Sequence, residues 1–237
     1  MDITWTNEHD RQFLASAGLC KLDHFWNLEN SGASVEFTHL KSKISKAGHI
    51  IKQVTCIKAL PSKYYLKKAC GPFSELLHNE FKRLPLMPSL GIQTPRLVAH
   101  FIDSSAKKIL IIYKNLVGYN SLEALFNNTA SPDALLDFSM KKREIIRELL
   151  EIRRRLISSG LIFNAWDPAH VFIRQKSLEI ALIDLEHLIS FSEMPFIMKN
   201  PIALSFLRFR EWRSFKKSLG SKVYTDKFLK DIIGNEA

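Results

Sequence analysis

The stretch at 160–173 reads Gly-Leu-Ile-Phe-Asn-Ala-Trp-Asp-Pro-Ala-His-Val-Phe-Ile, and Ala-Leu-Ile-Asp-Leu follows at 181–185. The first stretch begins where a predicted amphipathic helix ends, and its middle has the composition of an irregular polar loop that carries Asp167 and His170. The apolar residues after His170 predict a short strand, and a second strand follows a polar turn. Such a hairpin returns Asp184 to the loop. The pattern therefore predicts a polar site built from one loop and one strand-end carboxylate.

The rest of the chain predicts two lobes of different composition. The predicted helices are 10–22, 74–84, 122–126 and 141–158, and the predicted strands are 35–40, 50–57, 64–68, 97–102, 108–113, 171–174 and 178–183. Beyond Tyr119 we expect helices apart from the one hairpin. This order predicts an α+β protein with a ligand cleft between its lobes. We place a β-rich, nucleotide-binding lobe at 1–117 and a short helical lobe, which holds the loop and Asp184, at 118–237.

Composition favours a soluble protein with an anionic partner. Of the 237 residues, 46% are hydrophobic, enough for a buried core, and the formal net charge of +10 favours a nucleotide, a nucleic acid, a phosphorylated substrate or an acidic membrane surface. No apolar run approaches the roughly 18 residues that span a bilayer, and the polar start has no signal region. We therefore expect a cytoplasmic protein without a transmembrane anchor, whose three cysteines are reduced.

Four residues carry the chemistry that phosphoryl transfer needs. This reaction needs a lysine on the phosphates, a carboxylate that positions the lysine, and ligands for Mg²⁺. Lys67 ends a hydrophobic strand, and Glu80 on the following helix suits an ion pair with it. Asp184 ends an apolar strand, where it can hold Mg²⁺ against the phosphates, and His170 lies in the loop before the hairpin. Their order along the chain therefore makes phosphoryl transfer the leading interpretation.

These residues and the segments around them resemble the protein-kinase-like fold, and within it the lipopolysaccharide kinase (Kdo/WaaP) family. The matching segments include Leu-Asp-His-Phe-Trp-Asn-Leu at 22–28, Tyr-Tyr-Leu-Lys at 64–67 and Leu-Gly-Ile-Gln-Thr-Pro at 90–95. Others are 79–80, 121–125, 160–173 and 182–185, so that the resemblance covers about 18–191. A histidine at position 170, where most kinase-like proteins have asparagine, is typical of that family.

The resemblance implies a function and a role for each residue. Family members are cytoplasmic enzymes that phosphorylate inner-core sugars of lipopolysaccharide. By this likeness Lys67 contacts the ATP phosphates, Glu80 orients Lys67, and His170 and Asp184 hold Mg²⁺. The backbone of Asn115, Leu116 and Val117 would pair with adenine.

Two departures from the family bear on catalysis. Ala165, five residues before His170, stands where the family has its catalytic aspartate, and Asp167 is the nearby carboxylate. Three explanations stay open: Asp167 serves as the base, catalysis is lost while nucleotide binding remains, or Ala165 is an inactivating substitution in this particular chain. A glycine-rich phosphate loop is also absent, since Gly48 is the only glycine between residues 35 and 57. Nearby lysines, at 41, 43 and 46, can substitute for it electrostatically or form a solvated turn.

The C-terminal segment is basic and aromatic. Phe206, Phe209, Trp212 and Phe215 recur every three residues among nine Lys and Arg between 199 and 230. We expect a helix that places these aromatics on one flank, and it either docks on the core or binds anionic lipid. No zinc-binding spacing or nucleic-acid-binding motif accompanies the charge, so no nucleic acid is expected.

Our interpretation is an ATP-dependent sugar kinase that uses Mg²⁺ and transfers the γ-phosphate to a hydroxyl of a lipopolysaccharide core sugar or lipid-linked saccharide. An anionic membrane surface is a further candidate partner, which would make the protein peripheral at the inner membrane. The alternative is a catalytically impaired, kinase-like protein that acts as a nucleotide-binding or scaffolding module in envelope biogenesis.

Overall fold

The computed structural model describes residues 2–45, 50–177, 179–194 and 200–220, with the backbone alone at 202–203 and 216–220. The chain forms two compact units: the first comprises 1–82 and 95–116, and the second comprises 83–94 and 117–237. The chain therefore passes from one unit to the other three times. The functional division at residue 117 stays a prediction.

The first unit is built on a six-stranded antiparallel sheet with the strand order β1-β5-β6-β4-β3-β2. Its strands are β1 (Thr4–Trp5), β2 (Glu36–Ile44), β3 (Ile50–Ala59), β4 (Ser62–Cys70), β5 (Leu97–Asp103) and β6 (Lys108–Lys114). Its helices are α1 (Glu8–Ser16), α2 (Leu22–Trp26) and α3 (Pro72–Arg83). Leu14, Phe25, Leu66 and Leu110 belong to one buried apolar cluster that joins the first two helices to the sheet.

The single helix expected at 10–22 is wrong, because the chain turns between α1 and α2. Gly18 lies there with φ +89°, a conformation that favours glycine. A Cβ at that position would lie 3.0 Å from the Cα of Ala33, so the space also selects glycine. The periodicity of apolar residues continues across the turn, which explains why the sequence suggested one helix.

A buried carboxylate fastens α1 to the sheet. Asp10 is fully buried, and its carboxylate accepts hydrogen bonds from the Tyr64 hydroxyl at 3.0 Å and from Lys114 Nζ at 3.0 Å. Arg96 donates a third. Burial raises the pKa of Asp10, but the bonds from Lys114, Tyr64 and Arg96 outweigh it, and the net pKa is lowered. One side chain thus connects α1 with the ends of β4 and β6.

Within the described residues, the second unit packs three α-helices with short strands. The helices are α4 (Leu122–Phe126), α5 (Pro132–Ser158) and α6 (Pro201–Gly220), and the strands are β7 (Tyr119–Ser121), β8 (Leu161–Phe163), β9 (Val171–Arg174), β10 (Ile180–Leu182) and β11 (Leu188–Ser190). They form a three-stranded sheet in the order β10-β9-β7 and a β11-β8 pair. Ser131 caps α5 by accepting the N–H of Ala134, and Pro132 occupies the first turn, so that α5 begins nine residues before the predicted start.

The expectation that everything beyond Tyr119 is helical apart from one hairpin is wrong. Strands β7, β8 and β11 have three residues each, too few to show an alternating pattern. All three residues of β8 are buried, which gives an apolar run that sequence alone does not distinguish from the continuation of a helix. The predicted hairpin is present as β9 and β10, although Leu178, where its second strand was expected to begin, lies outside the described residues.

The aromatic residues of α6 do not share one flank, contrary to the sequence prediction. Phe215 is buried and stacks with Trp212, whereas Phe206 and Phe209 are 59% and 55% exposed. A helix turns by about 100° per residue, so residues three positions apart differ by about 60° around the helix axis. Over the three steps from Phe206 to Phe215 these differences add up to about 180°, which is the opposite face of the helix. Of the nine cations in this segment, only Arg208, Arg210 and Arg213 have described side chains.

No helix in the part of the chain that the structure describes has both the length and the apolar character that a bilayer crossing requires.

We predict that Asp10→Asn lowers the free energy of unfolding by about 2 kcal/mol at neutral pH, because an amide cannot replace the carboxylate's charge-assisted bonds. Since the folded-state pKa of Asp10 is lowered, its contribution is present above the usual carboxylate pKa and is lost as the pH falls through the folded value. Urea unfolding from neutral pH down to about pH 2 should show the deficit shrinking. Glu8→Gln, at an exposed position of α1, is the matched control. A deficit that is equal at all pH values would contradict this assignment.

Candidate functional site

Lys67 and Glu80 form a buried ion pair in the first unit. Lys67 lies on β4 between β3 and β6, and its Nζ is 2.9 Å and 2.8 Å from the two carboxylate oxygens of Glu80 on α3. Their side chains are 10% and 4% exposed, and the hydroxyl of Tyr113 on β6 donates to Glu80 Oε1 at 2.8 Å. The central strand and α3 thus hold an ammonium in a fixed position, as the sequence predicted for this pair.

The loop of the second unit is a tight turn around Ala165. The carbonyl of Ala165 accepts the N–H of Asp167 at 2.7 Å and lies 3.2 Å from Nδ1 of His170. The carboxylate of Asp167 accepts the N–H of Ala169 at 2.9 Å, and its carbonyl accepts the N–H of His170 at 2.8 Å. Asp167 is exposed, and its side chain stabilises its own turn.

Trp166 anchors that loop to the interior of the second unit. Its indole N–H donates to Glu211 Oε1 on α6 at 2.6 Å, and Arg153 on α5 donates to both oxygens of the same carboxylate. The Trp166 ring also meets Phe163 and Phe215 edge to face. Burial raises the pKa of Glu211, and the hydrogen bonds from Arg153 and Trp166 oppose that rise. Two helices therefore determine where the loop lies.

The hairpin of β9 and β10 brings His170 and Asp184 together. His170 precedes β9, Asp184 follows β10, and the N–H of Ile183 donates to the His170 carbonyl at 3.0 Å. His170 Nε2 lies 3.4 Å from Asp184 Oδ2, and each side chain is 16% exposed. Asp184 has φ +62° and ψ +45°, a left-handed conformation that is uncommon outside glycine and enriched in aspartate and asparagine. The imidazole of His170 and the carboxylate of Asp184 therefore lie side by side at one end of the hairpin.

Two further residues near Asp184 escaped the sequence interpretation. Glu186 and His187 place a carboxylate oxygen and a ring nitrogen such that these atoms and an Asp184 oxygen all lie within 4.8 Å of one another. The two side chains also pair with each other at 3.3 Å. The signal was available, since three ligand-type residues fall within four positions directly after a buried strand.

The predicted adenine-binding connector begins at the end of β6. The N–H of Asn115 donates to the Lys63 carbonyl at 2.9 Å, so this N–H is already bonded to a residue of β4. Val117 is 76% exposed. Of the three predicted residues, Leu116 and Val117 are therefore the better candidates for backbone bonds to a ligand.

The predicted basic turn between β2 and β3 is described in part. Lys41 and Lys43 are exposed on β2, and Lys43 Nζ lies 4.2 Å from the centre of the Phe73 ring. Lys46 and Gly48 lie outside the described residues.

No family model matches this sequence, and no curated protein does. Among solved structures, the chain is similar to WaaP in complex with acyl carrier protein, with a TM-score of 0.60, 13% identity and coverage of 99% of this chain and 89% of that one. Weaker likenesses, at TM-scores of 0.42 and 0.40 and 14% identity each, include an aminoglycoside-3'-phosphotransferase of type VIII (89% and 96% covered) and the autoinhibited serine kinase domain of titin (62% and 44% covered).

The chain has a protein-kinase-like fold. The fold predicted from the sequence is thereby confirmed, and the likeness to WaaP extends over nearly the whole chain. At 13% identity this likeness concerns the fold, so the substrate and the roles of single residues have to be argued from the chain itself.

We predict strong energetic coupling between Lys67 and Glu80. Lys67→Met leaves the buried Glu80 carboxylate without its cation, which should cost about 3–5 kcal/mol, whereas Lys67→Met with Glu80→Met should recover much of that loss. Urea unfolding of the two single variants and the double variant gives the coupling energy.

The exposed pair of Lys58 and Glu36 on β3 and β2 is the matched control, and its coupling should stay below about 1 kcal/mol. Additive losses at Lys67 and Glu80 would contradict a tightly paired site.

Proposed function

We propose that this protein is an ATP-dependent phosphotransferase of the lipopolysaccharide core sugar kinase type. The observation that carries the proposal is the buried ion pair of Lys67 with Glu80, to which Tyr113 adds a hydrogen bond. Phosphoryl transfer requires a positively charged group that is fixed before the nucleotide arrives, because catalysis depends on positioning and electrostatic stabilisation. The sugar substrate is inferred from the sequence resemblance and from the fold shared with WaaP.

In this proposal the first unit binds the nucleotide. Lys67 contacts the phosphates, and Glu80 keeps the ammonium directed toward them. Because the N–H of Asn115 is committed to Lys63, Leu116 and Val117 supply the backbone groups that pair with adenine.

The second unit would hold the metal. The carboxylate of Asp184 and the imidazole of His170, 3.4 Å apart at the end of one hairpin, fit a divalent cation. Mg²⁺ bound there would neutralise charge on the transferred phosphate. The hydrogen bond from the Ile183 N–H to the His170 carbonyl holds together the two backbone segments that carry these ligands.

The acceptor side is where the two candidate functions differ. Ala165 has no group that can take a proton from a hydroxyl, and the Asp167 carboxylate is occupied by the N–H of Ala169. That bond engages Oδ1 and holds the side chain in its own turn, while the second carboxylate oxygen can still accept a proton. The lack of a base at position 165 favours the second candidate, a nucleotide-binding or scaffolding module in envelope biogenesis that transfers phosphate slowly.

We predict that Ala165→Asp raises phosphorylation of core lipopolysaccharide by ten-fold or more, on the order of the contribution of one general base. Ala165→Asn, of the same shape and without basicity, is the matched control and should bring no gain. The thermal shift produced by Mg²⁺-ATP should be the same in all three proteins, because position 165 serves the acceptor hydroxyl.

Asp167→Asn separates the remaining possibilities. If it abolishes an activity that the unaltered chain already has, Asp167 is the base. If neither position alters turnover while Mg²⁺-ATP still binds, the kinase proposal fails and the binding module stands. No thermal shift with Mg²⁺-ATP would contradict both the kinase and the nucleotide-binding module.

The outer face of α6 supports a position at a membrane. Phe206 and Phe209 project outward together with the exposed guanidinium groups of Arg210 and Arg213, while Leu207, Glu211 and Phe215 face the core. Arg208 lies on a different flank, with its guanidinium 5.5 Å from the centre of the Phe191 ring. Exposed phenyl rings that alternate with cations fit the interface of an anionic bilayer. We propose that this face holds the protein at the cytoplasmic side of the inner membrane, where a lipid-linked saccharide is presented.

We predict that vesicles with anionic lipid retain the protein at low salt and release it as ionic strength rises. Arg210→Glu with Arg213→Glu should abolish retention, and Phe206→Ser with Phe209→Ser should weaken it. Arg143→Glu with Arg147→Glu, an equal charge reversal at exposed positions of α5, is the matched control and should retain binding. Equal losses in both charge-reversal variants would mean that net charge, and not α6, governs the attraction.

A further inference from the structure

We infer that Glu186 and His187, together with Asp184, form a divalent-cation site that prefers Mn²⁺ to Mg²⁺. The three side chains lie in one four-residue segment and present one ligand atom each, all within 4.8 Å of one another. The inference rests on the proposed role of Asp184 as a metal-binding residue, and it adds two ligands and a metal preference to that role.

The backbone explains why side chains so close in sequence converge. Asp184 has left-handed dihedral angles, and a single 3-10 turn, Leu185–His187, follows at once. Leu185 is buried and anchors the turn. On the far side, the carbonyl of His187 accepts the N–H of Asn164 at 3.3 Å, and Leu188 then pairs with Phe163 in the β8–β11 pair. The turn is therefore held at both ends.

The burial of the three groups suits a cation. The Glu186 side chain is 4% exposed and that of Asp184 is 16% exposed, whereas His187 is 46% exposed. A divalent cation bound between the Asp184 and Glu186 carboxylates would attract both of them, and more strongly at this burial than in open water. The half-exposed imidazole leaves an open side, through which a metal and its remaining water or phosphate ligands can enter.

The donor set determines the preferred metal. Mg²⁺ prefers oxygen ligands, so that each added imidazole beside the carboxylates shifts the preference toward first-row transition metals. Manganese combines tolerance for carboxylates with acceptance of imidazole nitrogen. Asp184 Oδ2 also lies 3.4 Å from Nε2 of His170, which is a second imidazole near this carboxylate.

The test is direct titration of the full chain, without nucleotide, with MnCl₂ and with MgCl₂. Free Mn²⁺ is measured by electron paramagnetic resonance and Mg²⁺ by calorimetry. We expect tighter binding of Mn²⁺ than of Mg²⁺ in the unaltered protein. Glu186→Gln and His187→Asn should each weaken Mn²⁺ binding by ten-fold or more, and His187→Asn should narrow the preference for Mn²⁺. Glu179→Gln and His9→Asn, at exposed positions, are the matched controls and should bind as the unaltered protein does.

Each outcome has one meaning. If Asp184→Asn loses Mn²⁺ while Glu186→Gln and His187→Asn keep it, the added ligands are wrong and the proposed function is untouched. If Asp184→Asn also binds normally, the metal assignment of the proposed function fails as well. Equal affinities for Mn²⁺ and Mg²⁺ in the unaltered chain would overturn the preference. If Glu186→Gln fails to fold, as judged by circular dichroism without metal, the Mn²⁺ affinity of His187→Asn tests the proposal instead, because His187 is half-exposed.

Discussion

A buried carboxylate has to be supplied with donors, and this constraint organises each unit of the protein. In the first unit Glu80 receives Lys67 and Tyr113, which joins α3 to β4 and β6. In the second, Glu211 receives Arg153 and the indole of Trp166, which joins α6, α5 and the loop. Leaving either carboxylate buried without its cation would cost several kcal/mol, on the order of 3–5. The residues assigned to function are therefore held by the same bonds that stabilise the fold.

The backbone shape of the loop at 164–170 does not depend on whether the loop carries a catalytic base. Trp166 is fixed by Glu211 and by its aromatic neighbours, so its backbone position does not depend on the side chain that precedes it. Ala165 lies next to this anchor and contributes its carbonyl to the turn. A loop of this kind keeps its shape when it carries no base. Because the Ala165 methyl group packs against the apolar core of the second unit, Ala165→Asp changes that contact as well as the chemistry of the loop.

The sequence predicted those elements whose pattern extends over several residues. The helix α4 and the strand β9 begin and end as expected, and the sequence predicted the Lys67–Glu80 ion pair, although Lys67 lies inside β4 and not at its end. The sequence did not predict β7, β8 and β11, because the existence of such short strands depends on partners elsewhere along the chain. The α6 aromatics were misplaced because a three-residue period was treated as a helical face. Glu186 and His187 were missed because the pattern of apolar residues does not show that Asp184 has left-handed backbone angles. Those angles begin the turn that brings the three side chains together.

The energetics of the Lys67–Glu80 pair bear on the choice between the two functions. A buried ion pair is no more stabilising than two apolar side chains of similar volume, so a module that only scaffolds gains nothing in stability from it. A fixed ammonium does have a use when an anionic phosphate binds, because the cost of burying and orienting the charge is met during folding. The pair therefore supports nucleotide binding under either proposal. What separates a kinase from a binding module is then the lack of a glycine-rich phosphate loop and, above all, the loop at 164–170, where a single methyl group stands in the position assigned to the base.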